Sequence, residues 1–492
     1  MFAKSLAFIV SLALPLLLVR RLSQSEFGSY KQAFLIIGTA IAVLPLGFGS
    51  STFYFLPRED NPRTKNQIIF NVVLFNLIIG LLTFLVLWTS TDLFSRLFHD
   101  SKLVGREALI GAVILFWLFS SFLETIAVAN QEARVATVFI IGAQLSKAVL
   151  LLSAAIFFGT VYSLIVAALI HAVIQTVVLL VYLQLRFRGF WFSFSWPMLR
   201  TQLSYALPYS LTALLFTAQV DLHNYFVASQ FDAATFAIYS IGCMQLPLFG
   251  ILSESLASVM IPRLSVLQKQ NNRREIVLLM SRVMRKLAFV HFPLYAFLVI
   301  NGKEFIRWLF TDAYIQSWPI FLVNLTWIPF YVIMLDPIVR AFAEQRYFLL
   351  RLRIILTVVL IAALWFAVKN FGLLGAIVVV VATNLFEHLV ITFRSAKIIG
   401  VQKKDIRLLD DVGKLGIAAI VAALSALATR PFVGSFSPFY VLAITSAVFF
   451  PVYVAIVLSL RVPTTLELER IKKRVLGFAR FFFWRRAAQP ST

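Results

Sequence analysis

A single cysteine, Cys243, stands in 492 residues, so an intramolecular disulfide is excluded and nothing supports a cysteine metal centre. Histidine is scarce as well: there are five, and no two have metal-ligand spacing. The chain lacks a Gly-rich phosphate loop and lacks a nucleophile beside a base. No catalytic residue, cofactor or metal is therefore assigned. With no ATPase or glycosyltransferase signature, any transport must draw on an ion gradient, the membrane potential or downstream consumption. Charge is thin too, at 13% of residues, against about 25% in a soluble domain.

Apolar residues fill the gap, at 60% of the chain. Runs of 18 or more recur along most of it, the length a helix needs to cross a hydrocarbon core of about 30 Å. The runs are continuously apolar, not alternating, which excludes a β-barrel. The sequence predicts an all-α polytopic membrane protein with about fourteen spans, near 3–19, 31–56, 67–90, 108–129, 136–158, 161–184, 203–227, 236–261, 284–300, 318–342, 350–368, 372–393, 413–429 and 438–460. The N-terminal run is read as a retained first helix, because Arg20 and Arg21 follow it where a signal peptide would carry a small-residue cleavage site.

The net charge of +22 would suggest nucleic acid in a soluble protein. Here the basic residues lie between and after the spans, so topology explains them and no nucleic-acid partner is expected. With the N-terminus in the cytoplasm, cytoplasmic segments hold 32 of the 44 Lys and Arg residues and the opposite side holds 10. That bias is what the positive-inside rule predicts. Both termini are thus expected in the cytoplasm. Residues 461–492 form a basic tail in which Lys472, Lys473, Arg474, Arg480, Arg485 and Arg486 interleave with Phe481 to Trp484. Such a tail is suited to anionic lipid, and a partner-docking helix is the other reading.

One phrase is written twice. Residues 23–30 read SQSEFGSY and residues 229–236 read SQFDAATF. Three further matches follow in the same order: Leu56-Pro57-Arg58 with Ile261-Pro262-Arg263, the segment from Phe94 with that from Phe305, and LETIAVANQEAR (123–134) with LDPIVRAFAEQR (335–346). The offsets are 206, 205, 211 and 212. Six spans separate the copies, so both halves face the same way. Parallel repeats of this kind hold substrate between two lobes near the bilayer midplane. The expected domains are an N-terminal lobe at 1–190 (spans 1–6), a C-terminal lobe at 191–400 (spans 7–12), spans 13 and 14 at 401–460, and the tail at 461–492. The repeated turn reads as structural: Ser and Gln side chains satisfy the last carbonyls of the outgoing helix, the acid suits the start of the next, and Pro-Arg ends it.

A parallel six-plus-six repeat carrying Ser23, Glu26, Phe27, Gly28 and Tyr30 in the first turn, Pro57 near the end of span 2 and Pro262-Arg263-Leu264-Ser265 after span 8 resembles the polysaccharide flippase family. That family belongs to the multidrug/oligosaccharidyl-lipid/polysaccharide exporter superfamily. The resemblance runs over the whole chain, although its motifs are short. It implies a bacterial inner-membrane protein, not an enzyme, that carries undecaprenyl-diphosphate-linked oligosaccharide across the bilayer by alternating access. The product is polymerised into O-antigen of lipopolysaccharide, capsule or exopolysaccharide. The implied partners are that lipid, membrane lipids, and a polysaccharide polymerase with its assembly proteins. Spans 13 and 14 resemble the extra pair of the lipid II flippase branch, which implies a groove for the lipid tail. One departure is the short apolar run of span 1, which begins later than its repeat partner; against the family, the expectation is an N-terminus either abbreviated or mis-started.

Ionisable groups inside spans are functional candidates by default. Lys147, near the middle of span 5, is a candidate cavity cation for the diphosphate; pairing with Glu124 on span 4 is the structural reading, and both stand. Arg340 lies four residues after Asp336, a spacing that puts both on one helix face. Glu124 and Asp336 are repeat mates. Asp221 in span 7 and Glu254 in span 8 are candidates for ion coupling, or else buried acids satisfied by neighbours. Arg20 and Arg21, with Lys31, flank the outer turn, where they meet either a departing diphosphate or lipid headgroups. Three other functions share these features: a lipid II flippase, a multidrug cation exporter with an acidic cavity, and a non-transport scaffold of a polysaccharide assembly complex.

Overall fold

The computed structural model describes residues 13–90, 92–98, 100, 102–342 and 346–462, and among them all regular structure is helical. Hydrocarbon offers no partner to a backbone N–H or C=O, so a chain this apolar closes its hydrogen bonds within each segment. The principal helices are α1 (Gln24–Val43), α2 (Pro62–Thr89), α3 (Glu107–Ala129), α4 (Ala133–Phe157), α5 (Val161–Arg186), α6 (Trp196–Gln230), α7 (Ala233–Gly242), α8 (Pro247–Lys269), α9 (Arg273–Phe310), α10 (Arg346–Ile399), α11 (Asp410–Val433) and α12 (Pro438–Ser459). Nine helical runs among the described residues are long and apolar enough to cross a membrane. Lipid-facing character is plain on their outer sides, where Val138, Val149, Phe157, Trp365, Phe393 and Leu424 are exposed. The chain is an all-α, multi-pass membrane protein.

Several expected spans are not continuous helices. Span 2 ends as a regular helix at Val43, passes through Leu46 and Gly47 with φ of 48° and 61°, and resumes as short turns from Phe48 to Arg58. Pro45 supplies the stop. Gly47 is forced by its surroundings as well, since a Cβ there would lie 2.1 Å from Ser210 Oγ on α6. Span 8 is divided into α7 and α8 at residues 243–246. Span 10 is a series of short helices, Trp318–Leu325, Ile328–Val332 and Asp336–Ala341. Spans 11 and 12 form α10, parted by the non-helical Gly372 (φ 59°, ψ −141°). The Pro-Arg after span 8 does not end its helix as expected. Pro262 lies inside α8, which runs on to Lys269, because membrane helices re-satisfy the one carbonyl a proline frees. The basic tail beyond Val462 and the start of span 1 lie outside the described residues.

Two compact units are present: Met1–Gln245 with Leu309–Asn324 and Arg346–Glu387, and Leu246–Trp308 with Leu325–Gln345 and His388–Thr492. The first draws segments from both sequence repeats. One of its apolar centres joins Ile69 and Val72 of α2 to Phe119, Phe122 and Ile126 of α3 and Leu179 and Leu183 of α5. A buried amide network fastens the start of α6 beside it. Asn71 donates to Gln202 Oε1 (3.3 Å) and to the Ser195 carbonyl (3.1 Å), while Gln202 donates to Ser51 Oγ (3.1 Å) and the Ile68 carbonyl (3.3 Å). The second unit is built on a stripe of small residues, Ala418, Ala419, Ala422 and Ala426 of α11, packed with Phe449, Tyr453 and Val457 of α12. Small residues at this spacing let helix backbones approach where lipid gives no hydrophobic drive to associate.

The two copies of the repeated turn meet within the first unit. A Cβ on Gly28 of α1 would lie 1.7 Å from the carbonyl oxygen of Ala233, the first residue of α7. Gln24 donates to the Ala313 carbonyl and Phe27 packs edge-on against Tyr314, with ring centroids 6.0 Å apart. The copies cap their helices differently. Ser23 caps α1 by accepting from the Glu26 N–H at 3.2 Å, whereas Asp232, the match of Glu26, caps α7 by accepting from the Thr235 N–H at 2.9 Å. Glu26 is thereby released for longer-range bonds: it accepts from Lys102 Nζ (2.6 Å) and from the N–H of Val161 at the start of α5 (2.5 Å). The expected role of Ser toward the outgoing helix holds at Ser229, which donates to the Phe226 carbonyl at 3.0 Å.

Replacing Gly28 by Ala forces α1 and α7 apart at a backbone contact. It is expected to cost about 1–3 kcal/mol, read as a fall in thermal unfolding temperature of the purified protein in detergent. Replacing Asp232 by Ala removes a helix cap and is expected to cost about 1 kcal/mol at neutral pH. The hydrogen bonds from Thr235 hold the Asp232 carboxyl below its ordinary range. Its contribution is therefore full above the unfolded carboxylate pKa of about 3.9 and fades as pH falls through the folded value. Stability of the wild type and of Asp232→Ala should converge only on acidification below that range.

Candidate functional site

Lys147 sits midway along α4, an otherwise apolar helix. Its Nζ lies 4.8 Å from the centre of the Trp117 ring on α3 and 5.8 Å from that of Phe34 on α1. Among the described residues no carboxylate lies within ion-pair distance of it. The alternative expectation, a Lys147–Glu124 pair, is not formed; Glu124 is exposed on α3. Glu124 lies seven residues, about 10 Å, along α3 from Trp117, the ring that Lys147 contacts. On the next position of α4, Ser146 bonds to His171 Nδ1 of α5 at 3.1 Å and accepts from Gln175 at 3.4 Å. His171 meets Trp117 edge-on at 5.6 Å. The result is a cation and a hydroxyl from α4 and an imidazole and an amide from α5, gathered beside the indole of α3.

Aromatic rings continue from that indole along α1. Trp117 contacts Phe34 at 6.1 Å, Phe34 contacts Tyr30 at 4.5 Å, and Tyr30 contacts Phe27 at 5.9 Å. These rings are spaced by three and four residues, which places them on one side of α1. Lys31 lies over Phe27 at 5.4 Å. Arg20 and Arg21 are exposed in the turn before α1. The row therefore runs from the basic turn before α1 to the lysine in mid-helix.

Of the other expected acids, Asp221 lies in the first unit and Glu254 and Asp336 belong to the second. Asp221 on α6 accepts from Thr39 of α1 at 3.2 Å. His223, two residues on, bonds to Tyr239 Oη of α7 at 2.8 Å. The side chains of Glu254, Asp336 and Arg340 lie outside the described residues. An ion pair that the sequence reading did not single out joins Arg353 to Glu387 at 3.2 Å. Arg353 also lies 5.0 Å over Phe216, and its carbonyl accepts from Gln219 at 3.2 Å. Both charges are largely buried. They lie on either side of Gly372, where α10 is broken, one on each limb. Arg353 falls inside the expected span 350–368 but was not singled out there.

The sequence profile of a family described as "Polysaccharide biosynthesis protein" matches residues 17–319. The chain belongs to that family. No curated protein sequence matches this polysaccharide biosynthesis protein. Among solved structures it is similar to a lipid II flippase, MurJ, in an inward closed conformation, at 14% identity and a TM-score of 0.75, with 92% of this chain and 97% of that one covered. It is similar to an inward-facing multidrug resistance MATE family transporter of the MOP superfamily at 16% identity and a TM-score of 0.64, covering 80% and 94%. A MOP superfamily transporter from Pyrococcus furiosus, whose binding pocket is described as reversed in polarity, matches at 16% identity and a TM-score of 0.55, covering 81% and 93%. The polysaccharide biosynthesis protein thus has the fold of that superfamily.

Removing one member of a buried ion pair leaves the other uncompensated, at a cost of about 3–5 kcal/mol, while replacing both by apolar residues is often close to neutral. Arg353→Met alone and Glu387→Met alone should each lower the unfolding temperature sharply. The double variant should recover most of the loss. Thermal unfolding of the three purified variants checks the coupling.

Proposed function

We propose that the chain is a flippase that moves undecaprenyl-diphosphate-linked oligosaccharide across the bacterial inner membrane by alternating access, for O-antigen, capsule or exopolysaccharide synthesis. The observation that carries the proposal is Lys147, a mid-helix cation bedded on Trp117 and Phe34 and without a carboxylate partner among the described residues. A cation–π contact is worth about 0.5–2 kcal/mol and leaves the charge unneutralised. An anion entering the site supplies the missing counter-charge, and a diphosphate is the anionic part of the substrate that the family match favours. The neighbouring His171, Ser146 and Gln175 offer hydrogen bonds to sugar hydroxyls. The lobes at 1–190 and 191–400, the inner-membrane location and the cytoplasmic termini belong to the same proposal, supported by the internal repeat and the charge bias.

A second reading is a lipid II flippase, favoured by the TM-score of 0.75 to a protein of that activity. It shares the lipid diphosphate and differs in the sugar. Reconstituted vesicles loaded with each lipid separate the two: the proposal expects translocation of the oligosaccharide lipid in excess of lipid II, and the reverse order selects the second reading.

A charge-assisted hydrogen bond contributes about 1.5–3 kcal/mol, which is about tenfold or more in binding. In a host whose surface polymer depends on this gene, Lys147→Ala should reduce polymer at the cell surface at least tenfold, with the protein present at normal levels, and Lys147→Arg should retain much of it. Equal polymer from the Ala variant and the wild type removes Lys147 from the site.

A further inference from the structure

A cavity of about 400 Å³ lies in the second unit, and its rim is basic. Arg273 and Arg274 come from the first turn of α9, and Lys404 from the short helix Lys403–Leu409 that follows α10. Gly400 ends α10 with φ of 71°, a left-handed backbone that folds the connector back over the helix ends. Val277 and Ile399 give the cavity an apolar floor.

Asp405 is the one acid in the lining, and it is occupied. It pairs with Arg274 and accepts the Gln402 N–H at 2.9 Å, closing a capping box with Gln402. Those bonds, with the guanidinium beside it, hold its carboxyl below the ordinary range. They also fix Arg274 in place. Arg273 and Lys404 are exposed, and no hydrogen bond or ion pair of either side chain is formed among the described residues. One acid against three bases leaves the cavity with an excess of two positive charges.

The cavity lies among the ends of three helical runs, Arg273–Phe310, Tyr347–Ile399 and Lys403–Val433. The expected spans 284–300, 372–393 and 413–429 within those runs put it beyond the apolar segments, on the side of the basic connectors. Its volume is in the range of small-molecule pockets, roughly 300–1,000 Å³. We propose that this cavity is a binding site for a phosphate-bearing headgroup, with Arg273 and Lys404 as its anion ligands and Asp405 as the residue that positions Arg274 beside them. By the charge bias of the connectors this is the cytoplasmic leaflet. The proposal is independent of Lys147 and of the transported substrate.

The test is thermal unfolding of the full-length protein in detergent, titrated with phosphatidylglycerol and, separately, with phosphatidylcholine. Phosphatidylglycerol should stabilise the wild type by mass action, and phosphatidylcholine should do so far more weakly. Each basic residue at an anionic surface is worth about fivefold in affinity, so Arg273→Gln/Lys404→Gln should raise the half-saturating phosphatidylglycerol concentration about 25-fold. That variant keeps the Arg274–Asp405 pair, and Lys404→Arg, which keeps the charge, should bind as the wild type does. A parallel titration with inorganic pyrophosphate distinguishes the source of the phosphate. Competition at concentrations equal to the lipid assigns the site to a soluble phosphate, and failure to compete assigns it to a lipid. Equal half-saturation in the double variant and the wild type, or equal stabilisation by the two lipids, overturns the proposal.

Discussion

A charge taken into hydrocarbon must be met by an opposite charge, by hydrogen bonds or by a polarisable face, because the cost of leaving it bare is several kcal/mol. The first unit solves this in two ways. Arg353 is met by Glu387, and Glu26 by Lys102 and a helix N-terminus. Lys147 is met by Trp117 and Phe34, which attract the cation without cancelling it. The distinction matters for function. A neutralised pair is scaffold, closed to a ligand, whereas a cation on aromatic rings retains a field that only an anion removes. On the proposed function, the polar groups around Trp117 would meet the neutral part of the same ligand.

The same solvent constraint shapes the backbone. Helices dominate because each closes its own hydrogen bonds, yet the segments matching spans 2, 8 and 10 are interrupted. Irregular backbone at membrane depth is tolerated only where protein or a water-filled cavity covers it. At the first of these breaks Gly47 lies against Ser210, and the amide network of Asn71 and Gln202 holds Ser51 close by. The repeated turns add a second close approach, Gly28 on Ala233, which no larger residue at position 28 permits. The doubled phrase in the sequence is therefore a pair of helix starts that pack on each other, each capped by a different member of the phrase.

Much of this was legible beforehand. Continuous apolar runs announced an all-α membrane protein, and the family resemblance carried by the first turn agrees with the profile match. The interruptions were less legible, since Pro45 and Pro329 mark a stop only when nearby groups cannot rescue the helix, and Pro262 shows rescue within α8. Lys147 stood out because nothing around it in sequence explains it. Its partners could not be read, because Phe34 and Trp117 come from separate helices whose rotation depends on packing. Arg353 was missed for a simpler cause: it lies near the start of the expected span 350–368 and was counted among the connector charges.

On the proposed function, Lys147 stays unneutralised to receive an anionic lipid head. Equilibrium binding of a short-chain polyprenyl diphosphate to the purified protein is the decisive measurement, with a polyprenyl ammonium of equal length as the control. The diphosphate should bind, the ammonium should not, and Lys147→Ala should weaken the diphosphate about tenfold or more while leaving the fold intact. Preference for the ammonium, or equal affinity of wild type and Lys147→Ala for the diphosphate, would contradict it.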